Sequence, residues 1–410
     1  AEDSVAAAFD RQLRLRDHTE GGTPVGAPPS ICISILPPER LLRFPLAQSH
    51  HLSFPETMKR TVFLGTYTKG ESKGIYSCRF DDATGALTDL RLAAETPSPS
   101  FLALHPNGKF LYAVNETDNY GGETSGAVTA YRIADGEGGV LKKLNTVSSH
   151  GAHPCHLVLT PGAKTVIIAN YTGSTVATIE IKADGSLGRT LNRIEHKGSS
   201  LLKPRQADPH PHAVNLDPAN RFVFISDLGM DQIVRYELEE NGRLSKSPGS
   251  TRVDPGTGPR HFAFHPGANF GYVLNEITRT ITAFRYNAAS GELTGIQTIS
   301  TVPEGWARGS TAEIFIHPNG RFLYSSNRGH DSIACFNIHQ GCGKLSLIEI
   351  EKTGGRTPRN FNLDPSGRWI IAANQSSGDL QVFSLNQKTG ALEPTAAHLE
   401  IPAPVCVVFL

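Results

Sequence analysis

The sequence predicts an all-β protein, a seven-bladed β-propeller in which one blade is closed by N- and C-terminal strands. Two observations support this prediction. A turn phrase related to Pro-Asn-Gly recurs six times at separations of 47 to 57 residues, the length of a four-stranded blade with long loops. In addition, 40 glycines and 27 prolines are distributed along the 410 residues, which favours short strands and turns over helices.

Each repeat contains a short apolar strand, a tight turn and a second strand. The turn forms because proline fixes φ and glycine permits a sharp reversal of the backbone. The prolines that mark the six turns are Pro106, Pro161, Pro218, Pro266, Pro318 and Pro365. A second element recurs seven residues earlier, at Pro99, Pro154, Pro211, Pro259, Thr311 and Pro358.

The two ends of the propeller supply a seventh repeat. Residues 404–409 match the first strand of a blade, whereas 61–66 and 74–80 match the second and third strands. Sharing a blade in this way closes the ring and leaves no exposed sheet edge. We therefore expect an N-terminal extension of irregular structure over 1–57 and a propeller over 58–410.

The extension is interpreted from its composition. Prolines cluster within 1–57, and the first methionine is Met58, directly before the strand-like segment 61–64. We interpret 1–57 as an upstream extension, and a signal peptide removed before Ala1 is the alternative.

Charge and cysteine content restrict the class of function. The 39 basic and 39 acidic residues cancel, which argues against capture of nucleic acid or an anionic membrane. No run of about 18 apolar residues predicts a membrane span. The six cysteines lack CxxC spacing, which favours reduced thiols in a cytoplasmic protein, although pairing of Cys335 with Cys342 stays open.

Two rings of residues are expected to meet at one mouth of the central channel. The innermost strand of each blade begins at that mouth, and the second strand ends there. These strand ends carry the ionisable residues His156, His212, Arg260, His261, Glu276, Glu313, Arg328 and Arg359. Ionisable groups around a narrow channel are costly unless paired or solvated, so the cluster predicts an active site. The alternative is that Arg–Glu pairs only lock neighbouring blades in a wet channel.

Other recurring polar residues are interpreted as structural. Five asparagines end the second strands and are expected to satisfy backbone groups of turns: Asn115, Asn170, Asn275, Asn327 and Asn374. His105, His265 and His317 belong to turns at the opposite face. His210 and His212 flank a proline, as a metal-binding pair would, but no further ligands follow at matching spacing, so we expect no metal.

Five segments resemble the propeller-type lactonase family, which includes bacterial 6-phosphogluconolactonases and fungal carboxymuconate-lactonising enzymes. They are VFLGTY at 62–67, PHPHA at 209–213, GPRH at 258–261, VLNE at 273–276 and PRNF at 358–361. The resemblance extends from Met58 to Leu410 and has no counterpart in 1–57. It implies chemistry on a lactone without metal or cofactor, with His212, Glu276, Arg260 and Arg328 at the channel mouth.

The favoured hypothesis is hydrolysis of a sugar-acid lactone, with 6-phosphoglucono-1,5-lactone as the first choice. Glu276 or His212 would take a proton from water, and Arg260 would face the oxyanion. Arg328 and Arg359 would hold a phosphate or carboxylate of the substrate. The other substrate-binding candidates are His156, His261, Glu313 and Gln375.

Two other functions stay open from the sequence. The same site would suit a cycloisomerase that acts on a muconate-type diacid. A non-catalytic propeller would instead serve as a binding platform, although the Trp-Asp blade endings typical of scaffold propellers are missing. The expected partner is a small lactone carrying phosphate or carboxylate, and the expected assembly is a monomer or homodimer.

Overall fold

The computed structural model describes residues 59–134 and 139–410, so the predicted extension over 1–57 lies outside the described residues. The described ranges contain 28 β-strands in seven four-stranded antiparallel sheets. This arrangement confirms the predicted seven-bladed propeller. The only helical element in these ranges is a 3-10 turn at Pro161–Ala163, and no helix there is long and apolar enough to cross a membrane.

Blade 1 combines the two ends of the propeller, as predicted. Its strands are β1 (Lys59–Thr66), β2 (Gly74–Asp81), β3 (Leu87–Glu95) and β28 (Pro404–Phe409). Their order in the sheet is β28-β1-β2-β3, with β28 innermost. β28 is antiparallel to β1, with Phe63 opposite Val408 and Leu64 opposite Val407. The pairing satisfies backbone groups of β1 that would otherwise form an open sheet edge.

The other six blades each use four consecutive strands, ordered outward from the channel. Blade 2 contains β4 (Leu102–Leu104), β5 (Phe110–Asn115), β6 (Ala127–Ile133) and β7 (Leu141–Ser148). Blade 3 contains β8 (Pro154–Leu159), β9 (Thr165–Asn170), β10 (Thr175–Ile181) and β11 (Leu187–Glu195). Blade 4 contains β12 (Pro211–Leu216), β13 (Phe222–Asp227), β14 (Gln232–Glu237) and β15 (Gly249–Arg252). Blade 5 contains β16 (Pro259–Phe264), β17 (Phe270–Asn275), β18 (Thr280–Tyr286) and β19 (Leu293–Ser300). Blade 6 contains β20 (Ser310–Ile316), β21 (Phe322–Arg328), β22 (Ser332–Ile338) and β23 (Leu345–Lys352). Blade 7 contains β24 (Pro358–Leu363), β25 (Trp369–Asn374), β26 (Asp379–Leu385) and β27 (Leu392–Glu400).

The hydrophobic core lies between neighbouring blades. The second strands β5, β9 and β17 are buried along their whole length, whereas the outer strand β3 is largely exposed or half-buried. Tyr272 and Leu274 of blade 5 belong to the same apolar cluster as Leu323 and Phe336 of blade 6. Because both faces of a sheet are covered by its neighbours, polar side chains concentrate at the strand ends.

Two of the three turn histidines connect their blade to the next, in agreement with their structural interpretation. The Nε2 of His265 donates to the carbonyl oxygen of Gly320 at 2.8 Å, one blade further along the chain. The Nε2 of His317 makes the same bond to Gly367 at 2.9 Å. In both residues Nδ1 accepts a backbone N–H two residues ahead at 3.1 Å, which fixes the tautomer.

The five described cysteines are free thiols: Cys78, Cys155, Cys335, Cys342 and Cys406. Cys335 and Cys342 therefore do not pair. Burial raises the pKa of the Cys78 and Cys406 thiols to about 12, so both stay protonated and unreactive at neutral pH.

Candidate active site

A polar pocket opens where the predicted strand ends meet. Its empty volume is about 260 Å³, including the space open to solvent. The residues that line it are Ser100, Phe101, Glu116, Cys155, Arg260, His261, Glu313, Arg359, Asn360 and Val405. All ten lie at the start of a first strand or just after a second strand, and they come from six of the seven blades. The repeat therefore does bring distant polar residues into one cavity.

Glu276 is the centre of a buried ionic network. Its Oε2 lies 2.9 Å from Nε of Arg260 and 3.1 Å from Nη2 of Arg328, and its Oε1 lies 2.5 Å from Nη2 of Arg205. Burial alone would raise the pKa of this carboxyl, but the three guanidinium groups outweigh burial and hold the pKa well below its usual range. Glu276 is therefore ionised at neutral pH and is a weak base.

Blades 5 and 6 position this network. Glu276 directly follows β17, and Arg260 is the second residue of β16, so both stand at the same end of blade 5. Arg260 also donates to the carbonyl oxygen of Ala312, and Arg328 donates to that of Thr311 at 3.0 Å. These bonds attach both guanidinium groups to the first strand of blade 6, so the charges are held in fixed positions.

Three imidazoles pack together beside the arginines. The ring centroid of His261 lies 5.3 Å from that of His156 and 5.2 Å from that of His212, in both cases edge to face. Phe101 covers His156 at 4.1 Å. Burial is the largest cause that lowers the pKa of all three histidines, and nearby guanidinium groups lower it further. The carboxylate of Glu313 partly offsets this effect at His261, and all three rings are neutral at pH 7.

Each imidazole has a different environment. The backbone N–H of Val214 donates to Nδ1 of His156 at 3.3 Å, which places the proton of that ring on Nε2. Nδ1 of His212 lies 3.8 Å from Sγ of Cys155, whereas its Nε2 is buried with no hydrogen-bond partner in the described part of the chain. Nδ1 of His261 lies 2.6 Å from Oε1 of Glu313. Because a carboxylate only accepts, Nδ1 of His261 carries the proton.

Arg359, at the start of the first strand of blade 7, and Gln375, just after its second strand, differ in position relative to the pocket. Arg359 lines the pocket, and its guanidinium lies 5.2 Å from the ring centroid of Tyr67. The hydroxyl of Tyr67 donates to Glu116 at 2.9 Å. Gln375 does not line the pocket, and its backbone N–H donates to the carbonyl oxygen of Thr357. Ring contacts, hydrogen bonds or a shared pocket wall thus join every predicted site residue except Gln375, while their catalytic roles stay predictions.

Arg205 belongs to the network but was not predicted from the sequence. It lies in the connection between β11 and β12, at 196–210, outside the repeated phrase. Its Nη2 contacts Oε1 of Glu276 and, at 3.3 Å, the hydroxyl of Tyr171. The sequence contained one indication of a long connection here. The turn prolines Pro161 and Pro218, which flank it, are further apart than any other two successive turn prolines.

Asp231 ties the Arg205 connection to the segment that precedes Arg260. The hydroxyl of Ser200 donates to Oδ2 of Asp231 at 2.5 Å. The backbone N–H groups of Gly256 and Gly258 donate to the same carboxylate at 2.6 and 2.7 Å. The segments that carry Arg205 and Arg260 are therefore both hydrogen-bonded to the carboxylate of Asp231.

The described residues contain no group of three or more His, Cys, Asp or Glu arranged to hold a metal ion. The two histidines that flank Pro211 both contact Tyr171. His210 stacks on its ring at 4.3 Å, whereas His212 meets the ring edge to face at 5.5 Å. The two histidines therefore contact Tyr171 differently: His212 also belongs to the cluster of three imidazoles, whereas His210 does not.

Comparisons with known proteins agree with this architecture. The family model described as "Lactonase, 7-bladed beta-propeller" matches residues 61–409. The 6-phosphogluconolactonase of Bacillus subtilis is 37% identical over 349 residues, which cover 85% of this chain and 97% of that protein. The 6-phosphogluconolactonase of Formosa agariphila is 33% identical over 346 residues, which cover 83% and 96%.

A solved structure extends the likeness to three dimensions. The periplasmic gluconolactonase of Pseudomonas aeruginosa has a TM-score of 0.81 and 30% sequence identity to this chain. The match covers 86% of this chain and 99% of that one. The family match over nearly the whole propeller, with these relatives, makes this chain a lactonase of the seven-bladed β-propeller family.

Proposed function

We propose that the pocket hydrolyses a phosphorylated sugar-acid lactone, 6-phosphoglucono-1,5-lactone, to 6-phosphogluconate. The observation that carries this proposal is the combination of two guanidinium groups, Arg260 and Arg359, with neutral imidazoles at one pocket. Cationic donors stabilise an oxyanion or a phosphate, and a neutral imidazole accepts a proton. The names of the Bacillus subtilis and Formosa agariphila relatives support the phosphorylated substrate.

Arg260 is the proposed stabiliser of the oxyanion. Its Nε is bonded to Glu276 and its Nη1 to the carbonyl oxygen of Ala312, so the guanidinium plane is fixed where it lines the pocket. A donor that is already in place needs no reorganisation when charge develops on the carbonyl oxygen. Loss of one such donor typically lowers kcat by about 10²–10³-fold.

Of the two residues that the sequence offers as the base, the contacts argue against Glu276. Three arginines saturate the Glu276 carboxylate and depress its pKa, so proton transfer to it is unfavourable. We assign Glu276 to orienting Arg260 and Arg328. The buried Nε2 of His212 has no hydrogen-bond partner within the described ranges, which suits it to bind water or a substrate oxygen.

Arg359 is the proposed ligand of the phosphate. Arg328 is bonded to Glu276 and to the carbonyl oxygen of Thr311, so it is committed to the ionic network. Arg359 lines the pocket, and the ring of Tyr67 supports its guanidinium. A planar guanidinium held in this way forms bidentate hydrogen bonds to a phosphate or carboxylate.

Turnover by the purified protein tests the proposal. The substrates are 6-phosphoglucono-1,5-lactone, glucono-1,5-lactone and a muconate-type diacid, with spontaneous lactone hydrolysis subtracted. We expect the highest kcat/KM with the phosphorylated lactone and lower rates after Glu276→Gln and His212→Ala. Unchanged lactone hydrolysis in both variants would contradict the site. Turnover of the diacid alone would instead favour the cycloisomerase.

A further inference from the structure

We propose that His261, oriented by Glu313, takes the proton from the attacking water. This inference rests on the proposed lactone hydrolysis. It gives His261 the role that the hypothesis from the sequence leaves to His212 or Glu276, and it makes Glu313 a positioning residue. Both His261 and Glu313 line the pocket, whereas His212 and Glu276 are not among the residues that line it.

Glu313 is held on both of its oxygens. Its Oε1 accepts from Nδ1 of His261 at 2.6 Å and from the backbone N–H of Ile314 at 2.9 Å. Its Oε2 accepts from Nδ2 of Asn360 at 2.6 Å. Asn360 is itself fixed, because its Oδ1 accepts from the backbone N–H of Val407 at 2.9 Å. A chain of hydrogen bonds through blades 1, 7, 6 and 5 therefore sets the orientation of the imidazole.

This orientation prepares His261 to accept a proton. With Nδ1–H donated to Glu313, the lone pair of the neutral ring lies on Nε2. A base oriented by a third group is the arrangement that activates water or a hydroxyl in many hydrolytic enzymes. A water molecule in the pocket has access to this ring because His261 forms part of the pocket wall.

Glu313 also favours His261 over His212 as the proton acceptor. Proton transfer turns the imidazole into a cation, and Glu313 lies 2.6 Å from His261 to stabilise that cation. After burial, the charges that oppose protonation of His212 include the guanidinium groups of Arg260, Arg359 and Arg328. His212 therefore stays neutral.

The groups that face His261 come from five blades. They are Glu313, Arg260, Arg359, His156 and His212. Burial and the two arginines lower the pKa of His261, and only Glu313 raises it. The pH at which His261 becomes protonated therefore depends directly on Glu313.

The reaction balances without a co-reactant. The water oxygen forms a bond to the lactone carbonyl carbon while its proton moves to Nε2 of His261, and the carbonyl π electrons move to the oxygen that faces Arg260. Collapse of this intermediate breaks the bond between the carbonyl carbon and the ring oxygen. The imidazolium returns its proton to the ring oxygen, so lactone and water yield the open hydroxy acid.

The test is the pH dependence of kcat/KM with glucono-1,5-lactone, because a phosphate on the substrate would itself titrate near pH 6. Activity falls as the pH drops below the pKa of the base. Glu313→Gln removes the charge that raises the pKa of His261, so we expect the acid limb to move to lower pH. We expect His261→Asn to lower kcat by about 10²–10⁴-fold and to remove that limb.

Two controls separate this role from a structural one. Glu313→Gln with Asn360→Asp rebuilds a hydrogen bond between the two side chains, so stability should return while the wild-type pH profile should not. His196→Gln removes an imidazole bonded at 2.7 Å to Asp227, a buried pair that does not line the pocket. We expect it to lower the melting temperature and leave the acid limb in place.

The outcomes distinguish this inference from the proposed function. An unshifted acid limb in folded Glu313→Gln, or recovery of the wild-type profile in the double variant, overturns the role of Glu313 and His261. If the acid limb of the pH profile disappears in His212→Ala but persists in His261→Asn, the role of His261 is overturned as well. A wild-type protein that hydrolyses no lactone contradicts the proposed function itself.

Discussion

Glu276→Gln is the substitution that most directly tests the ionic network. Glutamine has the same shape but no charge, so three guanidinium groups would stay buried without their shared counter-ion. The exposed fractions of these side chains are 3% for Arg260, 10% for Arg328 and 19% for Arg205, against 3% for Glu276. Solvent therefore offers little compensation for the lost charge.

The size of the effect follows from these contacts. At an effective dielectric constant of about 20, a pair of unit charges at about 4 Å attracts by about 4 kcal/mol. The free-energy cost of desolvating Glu276 and its three arginines offsets much of the summed attraction of the three ion pairs. Removing one partner of a buried pair costs about 3–5 kcal/mol. We expect the upper part of this range, because Glu276 serves three arginines.

Urea denaturation at pH 7 measures the loss, since urea, unlike guanidinium chloride, does not screen charge. The matched control is Glu180→Gln, which removes the partner of Arg189 at 3.9 Å; these side chains are 43% and 79% exposed. We expect this control to change the free energy of unfolding by no more than about 1 kcal/mol. Equal effects of the two substitutions would refute the assigned role of Glu276.

The pH dependence of the same difference provides a second check. The folded-state pKa of Glu276 lies below its unfolded value of about 4.3, so the unfolded chain binds the proton first as pH falls. The stability that Glu276 contributes is complete above that value and is lost as pH falls toward the folded pKa. The gap between wild type and Glu276→Gln should therefore be constant from pH 7 to pH 5 and narrow below about pH 4.

Two further predictions concern the anion site and the blade contacts. Arg359→Lys should raise KM for 6-phosphoglucono-1,5-lactone about tenfold, because the planar guanidinium and its contact with Tyr67 are lost. An equal rise of KM for glucono-1,5-lactone in steady-state assays would argue against a phosphate site. Gly65→Ala should destabilise the fold by about 1–3 kcal/mol, since its Cβ would overlap a backbone oxygen of the neighbouring blade. Gly267→Ala, where the new Cβ meets no atom within 4 Å, is the control, and similar melting temperatures for the two variants would contradict this account.

The sequence was sufficient to predict the propeller because the fold repeats. A turn and a buried strand recur in six blades, and the split blade repeats the strands, so the spacing identifies strand ends and hence the residues that meet at the pocket. All residues that line the pocket belong to the two rings defined by that spacing. Periodicity therefore predicts which residues reach the mouth of the channel, since each blade contributes the same positions.

Pairing between side chains could not be predicted in the same way. Periodicity places Glu276, Glu313 and the arginines at one end of the fold, but it does not determine which carboxylate binds which cation. Arg205 escaped prediction because it lies in a connection that has no counterpart in the other blades. Gln375 has the expected strand position, yet it does not line the pocket; among the residues that follow a second strand, Glu116 does.

The shared blade has a consequence for synthesis of the protein. β28 is synthesised after all the other described strands, and it contributes Val405 to the pocket and the N–H of Val407 that fixes Asn360. Until that strand joins β1, neither the pocket wall nor the support of Glu313 is complete. A truncated chain that ends before residue 404 would thus lack a finished catalytic pocket, and lactone turnover would report that translation had passed this point.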